Sequence, residues 1–330
     1  MSDIVEAARG KWHGILPQFG IDARYLNKQR GPCPLCGGKD RYFWDNKEGR
    51  GTFYCNQCGA GSGIQMVAMF KNWSIKQTLQ EIGKVVGEVE YKNPEPSREL
   101  TDSQKREALN KTWTGAQPLK ADDPVSLYLQ ARTGRQWASN ALRTHTELWH
   151  SDEKRSYHAM IAKVTDPDNK PVSIHRTYLL EDGSRPKISK PKMLMAGTIP
   201  DGSAIRLQPY QNILGIAEGI ETAFSASAIF DIPVWAAISA TIMVKWKPPE
   251  NVEKIVILGD NDRNYVGQLS AYRLAHQIAR EYPQRYDITV AIPNIRGADW
   301  NDFLNVHGLE LAKKEAVILS PSAFRTLPVG

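Results

Sequence analysis

The stretch Lys254-Ile-Val-Ile-Leu-Gly-Asp-Asn-Asp-Arg263 runs an apolar segment into a glycine and then two aspartates one residue apart. A short apolar run closed by a turn signal suits a buried strand, here Lys254 to Leu258. Working outward, Ile213-Leu-Gly-Ile-Ala217, Val234-Trp-Ala-Ala-Ile238 and Ile288-Thr-Val-Ala-Ile292 read the same way. Helical patterns lie between them, from Gly219 to Phe230 and from Val266 to Tyr282. Strands alternating with helices give an α/β layer with a mainly parallel sheet.

Acidic residues follow these strands. Glu218-Gly219 comes after the first, Gly259-Asp260-Asn-Asp262 after the third, and Gly297-Ala-Asp299-Trp-Asn-Asp302 after the fourth. Ligands of open α/β sheets gather at the carboxyl ends of the strands. Glu218, Asp260, Asp262, Asp299 and Asp302 brought to one edge would repel one another, so a cation or a role that uses the repulsion is expected. Mg²⁺ accepts such carboxylate oxygens while keeping several waters. Taken singly, each acid reads equally well as a solvated loop residue.

Far upstream stand Cys33-Pro-Leu-Cys36 and Cys55-Asn-Gln-Cys58, which use all four cysteines of the chain. Two C-x-x-C pairs at this separation form one tetrahedral zinc site. Four thiolates leave no open position for substrate, so the zinc is structural and contributes on the order of 10 kcal/mol to folding its module. Residues Met1 to Gly14 lack the apolar core of a secretory signal, which points to a reducing, cytoplasmic setting and to metal rather than disulfides. No apolar stretch is long enough to cross a membrane. The ribbon spans Gly31 to Phe70, and one helix is expected from Ile64 to Gly83. Around the cysteines lie Lys39, Arg41, Tyr42, Phe43, Trp44, Arg50 and Tyr54. Bases stack on aromatic faces while cations track phosphates. Strand alternation assigns some of these rings to the ribbon core, and Lys39, Arg41 and Trp44 are expected to be exposed.

The chain has 330 residues and a net charge of +6, with a pI of about 9.0, so more than one domain is expected, and the mildly basic balance fits a nucleic-acid partner. Val89 to Arg98, with two prolines in a polar setting, reads as a linker. Residues 1–98 are then the zinc module and linker, 99–206 an α+β middle region, and 207–330 the α/β layer. The middle region opens with helices at Asp102 to Thr112 and Pro124 to Arg132, and continues with a hairpin of Tyr157 to Val164 and Val172 to Leu180. Between Lys170 and Lys192 six cations face two acids, a balance of +4. From this span His175, Arg176, Lys187, Lys190 and Lys192 are candidates for holding triphosphate and template backbone. A solvated basic loop and a packed histidine fit the same residues.

Ala217-Glu-Gly-Ile-Glu-Thr-Ala223 and Leu258-Gly-Asp-Asn-Asp-Arg263, followed by Gly267, resemble the TOPRIM domain of bacterial-type primases, some topoisomerases and related nucleases. The string from Cys33 to Trp44, then Gly51 to Gly63, resembles the zinc-binding domain of phage, satellite and plasmid primases. Ser173 to Tyr178, Asp182-Gly183 and Lys187 to Gly197 are similar to the region between those modules. The sequence departs from replicative primases at Thr222, where they carry a further acid, while Glu221 stands one position earlier.

The resemblance implies a DNA primase that joins ribonucleoside triphosphates on a single-stranded DNA template. Asp260 and Asp262 would hold Mg²⁺ or Mn²⁺. Glu218 would hold or position an ion or take the hydroxyl proton, and Asp299 and Asp302 would complete the shell, directly or through water. The zinc module would read a short template sequence. No G-x-x-x-x-G-K-[ST] loop is present, so a separate helicase or replication initiator is the expected partner. A TOPRIM nuclease and a non-catalytic zinc-ribbon regulator of replication remain the alternatives.

Overall fold

The computed structural model describes residues 2–87, 101–320 and Ser322, which fall in two compact units, Met1–Glu99 and Leu100–Gly330. The linker expected from Val89 to Arg98 lies outside the described residues. Among those described, no helix is long and apolar enough to cross a membrane.

The first unit contains helices α1 (Ser2–Ala7) and α2 (Trp12–Gln18), strands β1 (Gly31–Cys33), β2 (Gly37–Trp44), β3 (Phe53–Cys55) and β4 (Gly59–Gly61), and helices α3 (Gly63–Lys71) and α4 (Ile75–Val85). The strands form one antiparallel sheet in sequence order. The single helix expected from Ile64 to Gly83 is two helices. Asn72 ends α3 in the left-handed conformation, and the Ser74 hydroxyl accepts from Gln77 N–H to start α4. Trp12, Ile15, Leu16, Tyr42, Trp44, Phe53, Met66 and Ile82 form the core. Trp44 is therefore not the exposed ring expected from sequence. It shares the inward parity of Tyr42 on β2 and is 1% exposed, with its ring edge-on to His13.

The second unit begins with α5 (Asp102–Thr114) and α6 (Pro124–Thr133), then β5 (Leu142–His150), β6 (Arg155–Thr165), β7 (Pro171–Leu179) and β8 (Lys192–Leu194), an antiparallel sheet in that order. Asp123 caps α6 through Val125 and Ser126 N–H, with Pro124 in the first turn and Gly134 closing the helix at φ +75°. There follow β9 (Ile213–Ala217), α7 (Ile220–Phe230), β10 (Val234–Ala236), α8 (Ala240–Met243), β11 (Lys254–Leu258), α9 (Val266–Glu281), β12 (Asp287–Ala291) and α10 (Trp300–Leu319). The four strands form a wholly parallel sheet ordered β10-β9-β11-β12. Alternate strand residues face opposite sides. Ala217, Val256 and Leu258 pack with α7 and α10, while Leu214, Ile216, Ile255 and Ile257 pack with Leu274 and Ile278 of α9. The α/β layer, the α+β middle region and the cysteine-bearing ribbon are thus all present.

Candidate active site and zinc site

The cysteines sit on two matching turns, between β1 and β2 and between β3 and β4. Cys33 and Cys58 sulfurs are 3.9 Å apart and those of Cys36 and Cys55 3.6 Å, and all four lie within 4.8 Å of one another. A tetrahedron with Zn–S bonds of about 2.3 Å has sulfur–sulfur edges of about 3.8 Å, so this sulfur cage fits zinc. Leu35 and Gln57 N–H point at Cys33 and Cys55 sulfur, 3.4 Å away in both turns, as suits thiolates.

The acids meet elsewhere. Ala217 pairs with Leu258, so Glu218 and Gly259 leave adjacent strands at the same level. This is where strand order reverses, with β9 between β10 and β11. Asp299 arrives from the β12–α10 connection. Glu218, Asp260 and Asp299 line one cavity of about 300 Å³. Asp262 and Asp302 do not line it, but both act on Asp260 by charge. Burial, then Asp299 and Glu218, push the Asp260 carboxyl up to about 8. Burial, followed by the Asp262 charge, raises Glu218, and burial raises Asp299. Asp260 Oδ1 is buried without a hydrogen-bond partner. An orphaned hard oxygen among repelling carboxylates fits a divalent cation. The acids converge less closely than the cysteines: among the described residues, no carboxylate trio has its ligand atoms all within 4.8 Å.

Local hydrogen bonds fix these acids. Asp299 Oδ1 accepts Asn301 and Asp302 N–H at 2.7 and 2.8 Å, capping α10, and Oδ2 accepts the Thr222 hydroxyl at 3.0 Å. Asp262 Oδ2 accepts Gly267 N–H at 2.9 Å, tying it to the first turn of α9. A methyl group at Gly267 would lie 2.6 Å from the Asp260 carbonyl oxygen, so only glycine lets α9 approach this closely.

Basic side chains line the same cavity: Arg132 of α6, Arg185, and Lys192 at the first position of β8, with His175 of β7, Tyr128 and Glu221. Lys192 Nζ donates to Glu221 Oε2 at 2.9 Å, and the Tyr128 hydroxyl donates to Glu221 Oε1. Burial alone would raise Glu221, but the Lys192 ammonium and the Tyr128 hydrogen bond outweigh it and hold the carboxyl at about 2. Burial and then Lys192 lower His175 to about 4, so this ring is neutral at pH 7. Arg132 Nε and His175 Nδ1 are buried without partners.

The basic segment chosen from sequence is divided by this geometry. His175 and Lys192 reach the cavity. Arg176, next to His175 on a strand, has the opposite parity and packs over the Tyr178 ring, 5.9 Å from its centre. Lys190 pairs with Asp152 at 2.5 Å, and Lys187 is exposed outside the cavity. In the ribbon Lys39 is exposed and Arg41 half-buried. Arg132, Arg185, Tyr128 and Glu221 were not chosen. Arg185 lay within the basic span already singled out, and Glu221 within the Glu-Gly motif, whereas nothing near Arg132 marks its role.

Residues 28–64 match the zinc-binding domain of primase-helicase, and residues 213–310 match the Toprim domain. The chain carries a Toprim domain behind a primase-type zinc ribbon. Between them, residues 103–207 match a domain of unknown function. The chain is similar to the zinc-binding and RNA polymerase domains of Aquifex aeolicus primase at 14% identity and a TM-score of 0.41, covering 96% of this chain and 85% of that one. The primase fragment of the bacteriophage T7 primase-helicase is similar at 14% identity and a TM-score of 0.40, over 88% and 98% of the two chains. A DNA primase domain from Pseudomonas aeruginosa matches at 12% identity and a TM-score of 0.36, over 53% of this chain, which spans only 56% of that domain. Glu218, Asp260, Asp262, Asp299 and Asp302 all fall inside the Toprim match, and Arg132, His175, Arg185 and Lys192 inside the segment of unknown function.

Proposed function

We propose that this protein is a DNA primase that makes short RNA primers on single-stranded DNA. The observation that carries this reading is the one cavity lined by Glu218, Asp260 and Asp299 together with Arg132, Arg185, Lys192 and His175. A nucleoside triphosphate with its cation needs both sets, one for metal and one for phosphate.

Asp260 would be the principal holder of Mg²⁺ or Mn²⁺, with Glu218 and Asp299 beside it and Asp262 and Asp302 completing the shell from outside the cavity. When bound, such ions stabilise the attacking and leaving oxygens of phosphoryl transfer. Arg132 and Arg185 bind phosphate oxygens. Lys192, held in place by Glu221, presents its remaining N–H groups to the same anion. Neutral His175 orients it by hydrogen bonding rather than by charge. Glu218, with its raised proton affinity, accepts the proton of the 3′-hydroxyl.

In the zinc module, Phe43 lies opposite Tyr54, which is 47% exposed, beside half-buried Arg41 and exposed Lys39. These residues, rather than Trp44, are the template-reading surface. The three segments thus divide the work: residues 1–98 read template, 99–206 hold phosphate and 207–330 supply the acids. A separate helicase or replication initiator delivers the strand.

Labelled ribonucleoside triphosphates, Mg²⁺ and a set of short templates test this reading. New short RNA is expected, and both Asp260→Ala and Glu218→Ala abolish it. Template degradation without synthesis would mark a nuclease, and unchanged synthesis by either variant removes that acid from the mechanism.

A further inference from the structure

Helix α9 is apolar on two opposite sides. Its inner side buries Gly267, Ala271, Leu274 and Ile278 against the sheet. At 100° per residue, Leu269, Tyr272 and His276 form a second line almost diametrically opposite, and Tyr265, the left-handed residue that caps the helix, precedes them. Tyr265, Leu269 and Tyr272 are 61%, 64% and 59% exposed. Single exposed apolar residues are ordinary, but a contiguous line of large ones marks an interaction surface.

The line is flanked by cations. Arg263, Arg273, Arg280 and Arg296 are all exposed and make no ion pair among the described residues. The Arg296 guanidinium lies over the Tyr265 ring, 5.7 Å from its centre. Within α9 the sole carboxylate is Glu281, at the far end from Tyr265. The near end is joined to the acidic site, since Tyr265 N–H donates to the Asp262 carbonyl at 3.1 Å.

We infer that the outer face of α9 is a docking surface for single-stranded nucleic acid leading to or from the acidic cavity. Exposed rings bordered by unpaired arginines match a chain of bases joined by phosphates. An acidic protein segment would also satisfy the arginines, but the ring–guanidinium pairing beside the reacting centre favours bases. From Leu269 to His276 the helix rises about 10 Å, the span of about three stacked bases. The inference rests on the nucleic-acid reading of the site but not on its catalytic part.

The test is fluorescence anisotropy of a labelled oligothymidylate of about fifteen nucleotides with the full chain, repeated over a salt series. Replacing both rings together, Tyr265→Ser with Tyr272→Ser, is expected to weaken binding about tenfold or more, while Tyr265→Phe with Tyr272→Phe keeps the rings and the affinity. Arg273→Gln with Arg280→Gln should reduce the slope of log K against log salt by about 1.4. Wild-type affinity and salt slope in the serine and glutamine variants overturn the inference, and so does a wild-type chain that does not bind the oligonucleotide. Normal oligonucleotide binding with loss of self-association or of a protein partner would assign the face to protein instead, and also overturns it. Asp260→Asn is expected to lose synthesis but keep oligonucleotide binding. If wild-type protein makes no primer while the ring variants still lose affinity, the catalytic reading fails and the docking surface stands.

Discussion

The cysteine site and the acidic cavity both gather several ionisable side chains, but over very different distances along the chain. The four cysteines come from two short turns within residues 33–58 and already stand at ligation spacing. The acids come from three strand ends between residues 218 and 302, and remain a repelling group around an orphaned oxygen. A local site closes by itself and holds its own module together. A distributed site has to be held open by a separate fold, and its unfavourable charge is available for binding a divalent cation. In the same cavity, the Glu221–Lys192–Tyr128 cluster shows the third possibility, an acid neutralised from within.

The contrast can be broken most directly at zinc. Chelation, or Cys55→Ala, should unfold residues 2–87, because binding contributes on the order of 10 kcal/mol, while the melting transition of residues 101–320 stays in place. Calorimetry before and after chelation reads both; a folded first unit without metal would dissolve the distinction. Next in size, Asp260→Asn should lower primer synthesis by about 10³-fold, an effect of about 4 kcal/mol, yet raise the melting temperature of metal-free protein. A fall in that temperature would mean that Asp260 stabilises the fold rather than straining it.

Lys192→Met leaves Glu221 buried without its cation. A fully buried pair broken this way costs about 3–5 kcal/mol. Lys192 is 37% exposed, so about 2 kcal/mol is expected by urea denaturation. The smallest effect is on pH dependence. The folded-state affinity of Asp260 for its proton is raised to about 8, so its stabilising contribution is complete below the unfolded carboxyl range near 4 and is lost as pH rises to about 8. Metal-free protein should therefore melt a few degrees lower at pH 8 than at pH 5.5, and Mg²⁺ or Asp260→Asn should flatten the slope. Glu221 runs the other way, losing its contribution only as pH falls towards about 2, outside that window, and His175, lowered to about 4, gains stability up to about pH 6.5 and offsets part of the Asp260 loss.

Much of this arrangement was legible because the signals were local. The apolar runs at Ile213–Ala217 and Lys254–Leu258 are strands over those same residues, and the acids after them leave the sheet together. The cysteine spacing sufficed for the ribbon. What escaped was decided by packing between distant segments. Arg132 reaches the cavity only because α6 lies against the Toprim helices, and no motif surrounds it. Trp44 and Arg176 failed on strand parity, which depends on where each sheet finds its core. The break between α3 and α4 did have a local signal, Asn72 followed by Ser74, but the apolar rhythm across it concealed the junction.

Gly267 gives the Toprim domain a built-in intolerance. Because the Asp260 carbonyl rests against its bare α-carbon, even the smallest added side chain has to displace either the helix or the acid. The outer side of α9 can therefore be remodelled residue by residue without disturbing this inner position, whose spacing holds the acidic site.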